Sequence, residues 1–387
     1  MRKITSPPLF SAQMYDLSAR ISELYALLQD EQSKKVFSAR LRYETAPCLE
    51  NMYDLIESSD CIPVDVQNSV IKAWRNLKAL SDAGNTIVIY GAGNAGMRCA
   101  QHFMLFGVQY QMFCDKKKHG QSFFGKLIIS PEQLLEHKNE YYVVVAVGSY
   151  PEVFRFLRDN GYPEDHILLS PLIAGIEATP ITNQYFDFME FYHPNTVFLD
   201  GGSFDGQDSI RFAEVTNGNY AGIIAVEPDS TSCQNVRANL ANAGVERAGV
   251  IEAGLSDRSG KATFYSCLNA ASRIKQDEYG KYNVNMPAIE GSIAHEDTIR
   301  VIKIDELTDL AFGMIKMDIE GSEFDALQGA EQTILRDKPL LAICVYHRQG
   351  DMLAIMDYLH ALLPEYRFWL RHYFPLTTDT VLYAAVI

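Results

Sequence analysis

The chain has 387 residues, of which 47% are hydrophobic, and a formal net charge of −15 at pH 7. This length leaves room for two or three domains, and the apolar content suffices for their cores without disulfides. An acidic surface repels phosphate backbones and anionic lipids, so nucleic acids and membrane surfaces are not expected partners. The seven cysteines form no C-x-x-C pair, and no run approaches the ~20 apolar residues of a membrane span. MRKITSPPLFSAQ lacks the apolar core of a secretory signal, so a cytoplasmic protein is predicted.

Residues 1–80 are predicted to form a helical segment. In MYDLSARISELYALL the apolar residues recur at steps of three and four, and DEQSKKVFSARLRYE and NSVIKAWRNLKAL have similar patterns. No cluster of residues in this segment indicates ligand chemistry. We therefore expect a helical cap on the rest of the chain, or a contact between the subunits of an oligomer.

Residues 81–180 are predicted to form a small Rossmann-like domain. TIVIY, VQYQMFCD and YYVVVAVG read as strands separated by helical patterns, which is typical of a parallel α/β sheet. The turn GAGNAG (Gly91, Gly93, Gly96) follows the first strand, and Asp115 ends the second. This spacing resembles a dinucleotide fingerprint, so these four residues are a candidate nucleotide or sugar site. The alternatives are a turn that docks the acceptor and a turn without a ligand.

Residues 181–387 are predicted to form a second, larger α/β domain. Five strands, TVFLD, AGIIAVEP, AGVIEAGLSD, AFGMIKMD and LLAICVYH, are expected to be separated by helices. YRFWLRH and DTVLYAAVI follow without a helix between them and predict a closing antiparallel β-hairpin. Residues 266–300 read as a polar insertion that could cover the acceptor, with Ser272 and Arg273 as its candidate substrate-binding residues.

A second glycine turn follows the first strand of this domain, in VFLDGGSFDGQDS. Its glycines let the backbone turn sharply and let a ligand approach closely, and the next helix presents free N–H groups. The paired acids would repel a diphosphate but attract the sulfonium and ammonium groups of S-adenosylmethionine. The candidate cofactor-binding residues of the turn are Asp200, Gly201, Gly202, Ser203, Asp205 and Gly206.

The ends of the next two strands extend this candidate cofactor site. Glu227 follows the turn by about 20 residues, where an acid accepts hydrogen bonds from ribose hydroxyls, and Pro228 adjoins it. Gly254 and Leu255 follow the third strand and are expected to line an adenine slot.

The fourth strand ends in a run of acids, IKMDIEGSE, with Asp318, Glu320 and Glu323. Like charges at this edge tend to raise a pKa or to recruit a cation. Methylation of an alcohol requires a proton acceptor, for which a carboxylate or a histidine is suited. His347 ends the neighbouring strand, so Asp318, Glu320 and His347 are the predicted catalytic residues. Asp318 also belongs to the candidate cofactor site. No strict metal-ligand spacing is present, which leaves a divalent cation on these three residues as the weaker alternative.

The order of VFLDGGSFDGQDS, AVEPD, EAGLSDRSGKATFY, IKIDEL and IKMDIEGSEFDALQGAEQTI resembles the FkbM family of S-adenosylmethionine-dependent methyltransferases. The resemblance covers residues 195–387 and is most specific in IKMDIEGSEFDALQGA. It implies a class I methyltransferase fold, cofactor contacts from Asp200, Gly202 and Glu227, and an acceptor side shaped by Asp318, Glu320 and Glu323. The family often has an acid shortly before the position of His347, whereas this chain reads CVYH.

The resemblance implies O-methylation of a hydroxyl on a sugar, saccharide or natural-product acceptor, with S-adenosylmethionine as the cofactor. The N-terminal glycine turn resembles those of small Rossmann-like domains that precede sugar-modifying transferases. The alternative function is an NAD-dependent nucleotide-sugar oxidoreductase or epimerase that uses this first turn. No Tyr-x-x-x-Lys pair accompanies that turn, which disfavours the short-chain type. A non-enzymatic sugar-binding protein would leave the aligned acids at 200, 227 and 318 unexplained.

Overall fold

The computed structural model describes residues 12–179, 183–266, 273–274 and 295–387. The first described elements are helices, as predicted: α1 (Ala12–Ala26), α2 (Glu31–Thr45), α3 (Leu49–Glu57) and α4 (Val64–Asp82). Their apolar faces are divided between two cores. Leu28 and Phe37, from the α1–α2 region, enter the core of the C-terminal sheet, while Met52 of α3 and Trp74 of α4 enter the core of the first sheet. Within the described part of the chain, we find no helix with the length and apolarity needed to span a bilayer.

The first sheet follows the order β3-β4-β2-β1-β5-β6, and all its pairs are parallel except β3–β4. Glycine turns and short helices separate its strands, so the predicted Rossmann-like unit is confirmed. Three short strands of two to four residues and the last helix were not predicted from the sequence. The elements are β1 (Thr86–Tyr90), α5 (Asn94–Leu105), β2 (Met112–Cys114), β3 (Ser122–Phe123), β4 (Lys126–Ile129), α6 (Pro131–Glu136), β5 (Tyr141–Val145), α7 (Tyr150–Asp159), β6 (Ile167–Leu169) and α8 (Pro171–Ala178).

The C-terminal region contains a seven-stranded sheet and a smaller four-stranded one. The strands are β7 (Val197–Gly201), β8 (Gly222–Glu227), β9 (Ala248–Glu252), β10 (Gly254–Leu255), β11 (Gly260–Ser266), β12 (Arg273–Ile274), β13 (His295–Ile302), β14 (Phe312–Met317), β15 (Leu340–Cys344), β16 (Tyr366–His372) and β17 (Thr380–Val386). The helices are α9 (Gln207–Val215), α10 (Ser230–Asn242), α11 (Glu323–Gln328), α12 (Glu331–Asp337) and α13 (Asp351–Leu362).

The larger sheet follows the order β16-β17-β15-β14-β7-β8-β9. β14 and β15 are buried along their whole length, as expected of central parallel strands that are covered on both faces. β17 lies antiparallel between β15 and β16, which confirms the predicted closing hairpin and the class I methyltransferase order. The α/β fold class with two Rossmann-like sheets is thus confirmed.

A helix was predicted between the third and fourth strands, and residues 267–272 and 275–294 of this connection lie outside the described residues. Its described residues form the small sheet β10-β13-β11-β12. β13 begins at His295, so the end of the predicted polar insertion is a strand. DTIRVI is rich in β-branched residues and alternates in polarity, which favours a half-buried strand over a helix.

Candidate functional site

The two sequence motifs meet at the carboxyl edge of the larger sheet. β7 and β14 are paired in register, with Gly201 beside Met317, so the second glycine turn and the acidic run leave the sheet side by side. Gly202 has a φ of 73°, and a Cβ there would overlap the carbonyl oxygen of Asp318. Only glycine therefore permits this contact between the two motifs.

A buried lysine that was not singled out from the sequence fastens the turn. Lys316 Nζ lies 3.1 Å from Asp200 Oδ1 and 3.0 Å from Asp208 Oδ2, and it donates to the Gly202 carbonyl at 3.0 Å. Ser209 Oγ donates to the other oxygen of Asp200 at 2.7 Å. Burial alone would lower the pKa of Lys316, but the two carboxylates hold it well above its usual value. The sequence signal for this role was a single lysine within the otherwise apolar strand β14.

Asp200 therefore faces Lys316 and Ser209 in this structure. It is fully buried, and both its oxygens are engaged. Direct contact between Asp200 and a cofactor stays a prediction. In this structure Asp200 holds the glycine turn in place through its ion pair with Lys316.

Glu227 lies across the glycine turn. Its Oε2 accepts from the Phe204 N–H at 3.0 Å and its Oε1 from the Asp229 N–H at 2.9 Å, while burial raises its pKa. Asp205 accepts from the Gln207 N–H at 3.1 Å, at the start of α9. Ser203 Oγ is buried and has no hydrogen-bond partner among the described residues.

The residues that follow the third strand, β9, pack against the same glycine turn. A Cβ on Gly201 would lie 2.8 Å from Leu255 Cδ1 and a Cβ on Gly206 3.2 Å from Val236 Cγ1, so both glycines are packed closely. Gly254 and Leu255 form β10 and are buried, whereas Pro228 is half-buried. The structure thus brings the predicted cofactor-binding residues to one edge, and their roles stay predictions.

His347 gathers the three acids around one imidazole ring. Its Nδ1 lies 2.9 Å from Glu323 Oε1, and its Nε2 lies 3.3 Å from Asp318 Oδ1 and 3.5 Å from Glu320 Oε2. The side chain is only 4% exposed. Burial would lower its pKa, but the carboxylates outweigh that effect and raise it to about 10. At neutral pH the ring therefore carries both protons as an imidazolium. It stands in the loop after β15, three residues beyond Cys344 and not at the strand end.

The three carboxylates have different surroundings. Burial would raise the pKa of Asp318, but His347, Lys316 and two tyrosine hydroxyls together keep it below the usual value. Burial raises the pKa of Glu320 to about 7. Glu320 has a φ of 55°, which is sparsely populated by residues other than glycine and is seen at strained functional positions. Glu323 is fully buried and accepts from the Ile319 N–H at 2.9 Å, so it orients His347.

Two tyrosines of this cluster were missed in the sequence. Tyr185 Oη donates to Asp318 Oδ2 at 2.8 Å, and Tyr346 Oη donates to Asp318 Oδ1 at 3.2 Å. Tyr346 directly precedes His347, and that adjacency was a usable signal. Tyr185 lies in a stretch without periodicity before β7, so nothing in the sequence singled it out.

Asp318, Glu323 and His347 present ligand atoms within 4.8 Å of one another, an arrangement that could hold a metal ion. The predicted cation set named Glu320 where this group contains Glu323. A proton on His347 Nε2 already accounts for the approach of Asp318 and Glu320 through ion pairing. The requirement for a metal stays an untested prediction.

The first glycine turn is held by its own neighbours. A Cβ on Gly91 would lie 2.7 Å from the Ala146 carbonyl oxygen, and a Cβ on Gly96 would overlap the Gly91 carbonyl oxygen. Asp115 accepts from the backbone N–H groups of Ala92 at 3.0 Å, Lys117 at 2.8 Å and Lys118 at 3.1 Å. Gly93 is open, with nothing within 4 Å of a Cβ built there. A ligand at this turn stays a prediction.

Arg98, on the helix after the first glycine turn, influences the acidic cluster through its charge. Burial raises the pKa of both Glu320 and Asp379, and the charge of Arg98 on α5 partly counters that rise.

The two candidate substrate-binding residues of the polar insertion are described only in part. Ser272 lies outside the described residues, and only the backbone of Arg273 is described, in β12.

The comparisons with known proteins agree with this geometry. The family model of the methyltransferase FkbM domain matches residues 200–370. The 2-O-methyltransferase NoeI of Sinorhizobium fredii is 24% identical over 185 residues, which cover 45% of this chain and 73% of that protein.

Solved structures are similar at low identity. Methyltransferase FkbM from Methylobacillus flagellatus is 20% identical, with a TM-score of 0.47 over 92% of this chain and 99% of that chain. The Streptococcus mutans protein SMU.1697c, solved in complex with SAH, is 10% identical, with a TM-score of 0.30 over 51% of this chain and 92% of that chain.

The matched region spans the second glycine turn, Glu227, the three acids and His347, while Tyr185 precedes it. Residues 200–370 of this chain therefore form a domain of the FkbM methyltransferase family.

Proposed function

We propose that the protein is an S-adenosylmethionine-dependent O-methyltransferase that acts on a hydroxyl of a sugar, saccharide or natural product. The observation that carries this proposal is the meeting of the Gly202 turn and the His347 cluster at one sheet edge. The name of the 2-O-methyltransferase relative supports oxygen as the methyl acceptor.

The proposed cofactor site is formed by the glycine turn, Glu227 and Leu255. Glu227 already points its carboxylate across the turn, where further acceptor capacity remains for ribose hydroxyls. Three carboxyl groups, those of Asp318, Glu320 and Glu323, surround the single imidazole ring of His347. That balance favours the positive sulfonium and ammonium groups of the cofactor.

The proposed chemistry needs an acceptor oxygen in line with the methyl group and a site for the released proton. S-adenosylmethionine supplies the activated methyl group, and orientation of the acceptor provides much of the rate. Glu320 is the proposed proton acceptor, because its pKa of about 7 suits proton transfer near neutral pH. His347 is already protonated, so we assign it the role of holding Asp318 and Glu320 in place.

We infer that the N-terminal unit borders the acceptor side, since Arg98 acts on Glu320 from α5. The alternative function as an NAD-dependent oxidoreductase has no specific observation in its favour. Both carboxyl oxygens of Asp115, a residue of that candidate site, already accept hydrogen bonds from the backbone N–H groups of Ala92 and Lys117.

The nature of the acceptor atom can be tested with isotopically labelled S-adenosylmethionine and a panel of free saccharides. We expect label in an alkali-stable ether methyl group, identified by mass spectrometry after hydrolysis. The Glu320→Gln variant should give at least tenfold less product. Label on nitrogen or carbon in a matched panel of amines and aromatic compounds, with none on saccharides, would contradict O-methylation.

A further inference from the structure

A buried ion pair lies on helix α2, far from the cofactor turn in sequence. Arg40 Nε donates to Glu44 Oε1 at 2.8 Å, and the two side chains are 0% and 3% exposed. Arg40 is among the largest fully buried side chains of the described residues. Residues 1–80 gave no sign of a role at the site, so this pair is unexplained by the sequence.

The pair fastens the loop that carries His347. Arg40 Nη2 donates to the Tyr346 carbonyl at 3.2 Å, and Glu44 Oε2 accepts from the Gly350 N–H at 3.0 Å. Gln349 Nε2 donates to the Glu44 carbonyl at 2.8 Å. Both ends of the five-residue loop 346–350 are therefore held by α2.

Arg40 also reaches the second loop at this end of the sheet. Its Nη1 donates to the Thr377 carbonyl at 2.6 Å, between β16 and β17. The same guanidinium thus holds one carbonyl group in each of two loops. A buried carbonyl without a hydrogen bond is costly in free energy. The two Arg40 donors therefore stabilise the backbone of both loops in these positions.

The loop 346–350 carries the contacts that define the site. Tyr346 donates to Asp318, and His347 follows immediately, with the two rings 4.0 Å apart. The peptide group between these residues contains the carbonyl that Arg40 holds. Fixing that peptide fixes the direction from which His347 approaches the three acids.

Stability alone is a weak reason for such a pair. Removing two charges from water is expensive, and well-packed apolar residues of similar volume are often equally stabilising. The pair differs from an apolar replacement because Arg40 Nη1, Arg40 Nη2 and Glu44 Oε2 each form a directional hydrogen bond with one particular backbone group.

We propose that Arg40 and Glu44 are positioning residues for methyl transfer, which hold the loop 346–350 so that His347 meets Asp318, Glu320 and Glu323. The role in methyl transfer rests on the proposed function. The placement of His347 does not, and it can be measured without a substrate.

The test is a double variant, Arg40→Met with Glu44→Leu, in the full chain labelled with ¹⁵N-histidine. Removing both charges avoids an unpaired buried ion, so the variant should fold. In the wild type we expect a downfield Nδ1–H signal of His347, assigned by its loss in His347→Gln. In the double variant this signal should disappear or move upfield, while the circular dichroism spectrum is retained. Arg40→Lys, which keeps the charge but not the full set of donors, should give an intermediate signal.

A matched control removes the ion pair between Asp30, the residue before α2, and Arg371 of β16. Arg371 Nη2 lies 2.7 Å from Asp30 Oδ2, and Arg371 Nη1 donates to Ser33 Oγ and to the Leu370 carbonyl. Arg371→Met with Asp30→Asn should leave the His347 signal unchanged. An unchanged signal in the Arg40→Met, Glu44→Leu protein would overturn the proposal, as would an equal change in the control. If the double variant does not fold, the same criteria apply to Arg40→Lys.

Failure of the proposed function would look different. Wild-type protein that does not bind S-adenosylmethionine, yet loses the His347 signal in the double variant, would refute the methyltransferase chemistry and leave the positioning role standing.

Discussion

At the scale of the residue, the side chain of Lys316 connects three groups of the site. It is the shared cation of Asp200 and Asp208, and it also holds the Gly202 carbonyl. Lys316→Met should lower the free energy of unfolding by about 3–5 kcal/mol, because the buried Asp200 carboxylate loses its partner. Lys338→Met, which breaks the exposed pair with Glu365, should cost at most about 1 kcal/mol. Urea unfolding of both variants checks this, and equal losses would contradict it.

Glu320 is the residue on which the proposed proton transfer depends. Glu320→Gln keeps the size and polarity of the side chain but cannot accept the proton. We expect kcat to fall about 100-fold. The Kd for S-adenosylmethionine, measured by calorimetry, should change little. A variant with wild-type kcat would remove Glu320 from the mechanism.

His372 gives a prediction for acid stability. It is fully buried between Thr380 Oγ1 at 2.9 Å and the Leu376 carbonyl at 3.0 Å, and burial lowers its pKa to about 3. The unfolded chain takes up this proton below about pH 6.5, while the folded protein does not. This contribution to stability is therefore present above pH 6.5 and is lost as the pH falls toward 3.

The comparison variant for this effect is His372→Gln, which cannot titrate. Its free energy of unfolding should fall less steeply than that of the wild type between pH 6 and 4, by up to about 1.4 kcal/mol per pH unit. Denaturant unfolding at several pH values measures both slopes. Parallel slopes would show that His372 does not take part.

At the scale of the element, the glycine turns are fixed by close approach of the backbone. Gly202 and Gly218 have the same φ of 73°, but a Cβ meets the Asp318 carbonyl at the first and nothing within 4 Å at the second. Gly218→Ala should cost about 1–2 kcal/mol from φ alone. Gly202→Ala should cost several kcal/mol more and abolish cofactor binding. Thermal unfolding of the pair separates strain from overlap, and equal costs would contradict the described turn.

Some elements could be predicted because their apolar runs are short, buried and bounded by glycine or acids. β7, β8, β14 and β15 are of this kind, and neighbouring parallel strands bring Asp318 and His347 to one edge. The small sheet could not be predicted in the same way, because β10 has only two residues. The assignment of Glu323 to His347 Nδ1 depends on rotamers, and the partners of Arg40 lie over 300 residues away in sequence.

At the scale of the whole molecule, the described N-terminal helices pack against both sheets. Phe374 and Leu376, from the hairpin loop, pack with the first core, and Leu28 pairs with Phe368 of β16. The division into 1–80, 81–180 and 181–387 stays a prediction. Residues 12–82 contribute side chains to the cores of both sheets.

The same packing bears on partners. Leu24, Leu28, Val36 and Phe37 of the N-terminal segment are used within the chain. An oligomer through these helices therefore stays a prediction. Its interface would have to use surfaces other than these buried residues. The net charge of −15 keeps nucleic acid an unexpected partner, and a cytoplasmic location stays a prediction as well.

The central claim is that the second glycine turn holds S-adenosylmethionine. Calorimetric titration of the purified protein with S-adenosylmethionine and with NAD tests it most directly. We predict binding of S-adenosylmethionine alone, weakened at least tenfold in Glu227→Ala and unchanged in Gly93→Val. Binding of NAD alone, lost in Gly93→Val and retained in Glu227→Ala, would contradict the account and make the first turn the active one.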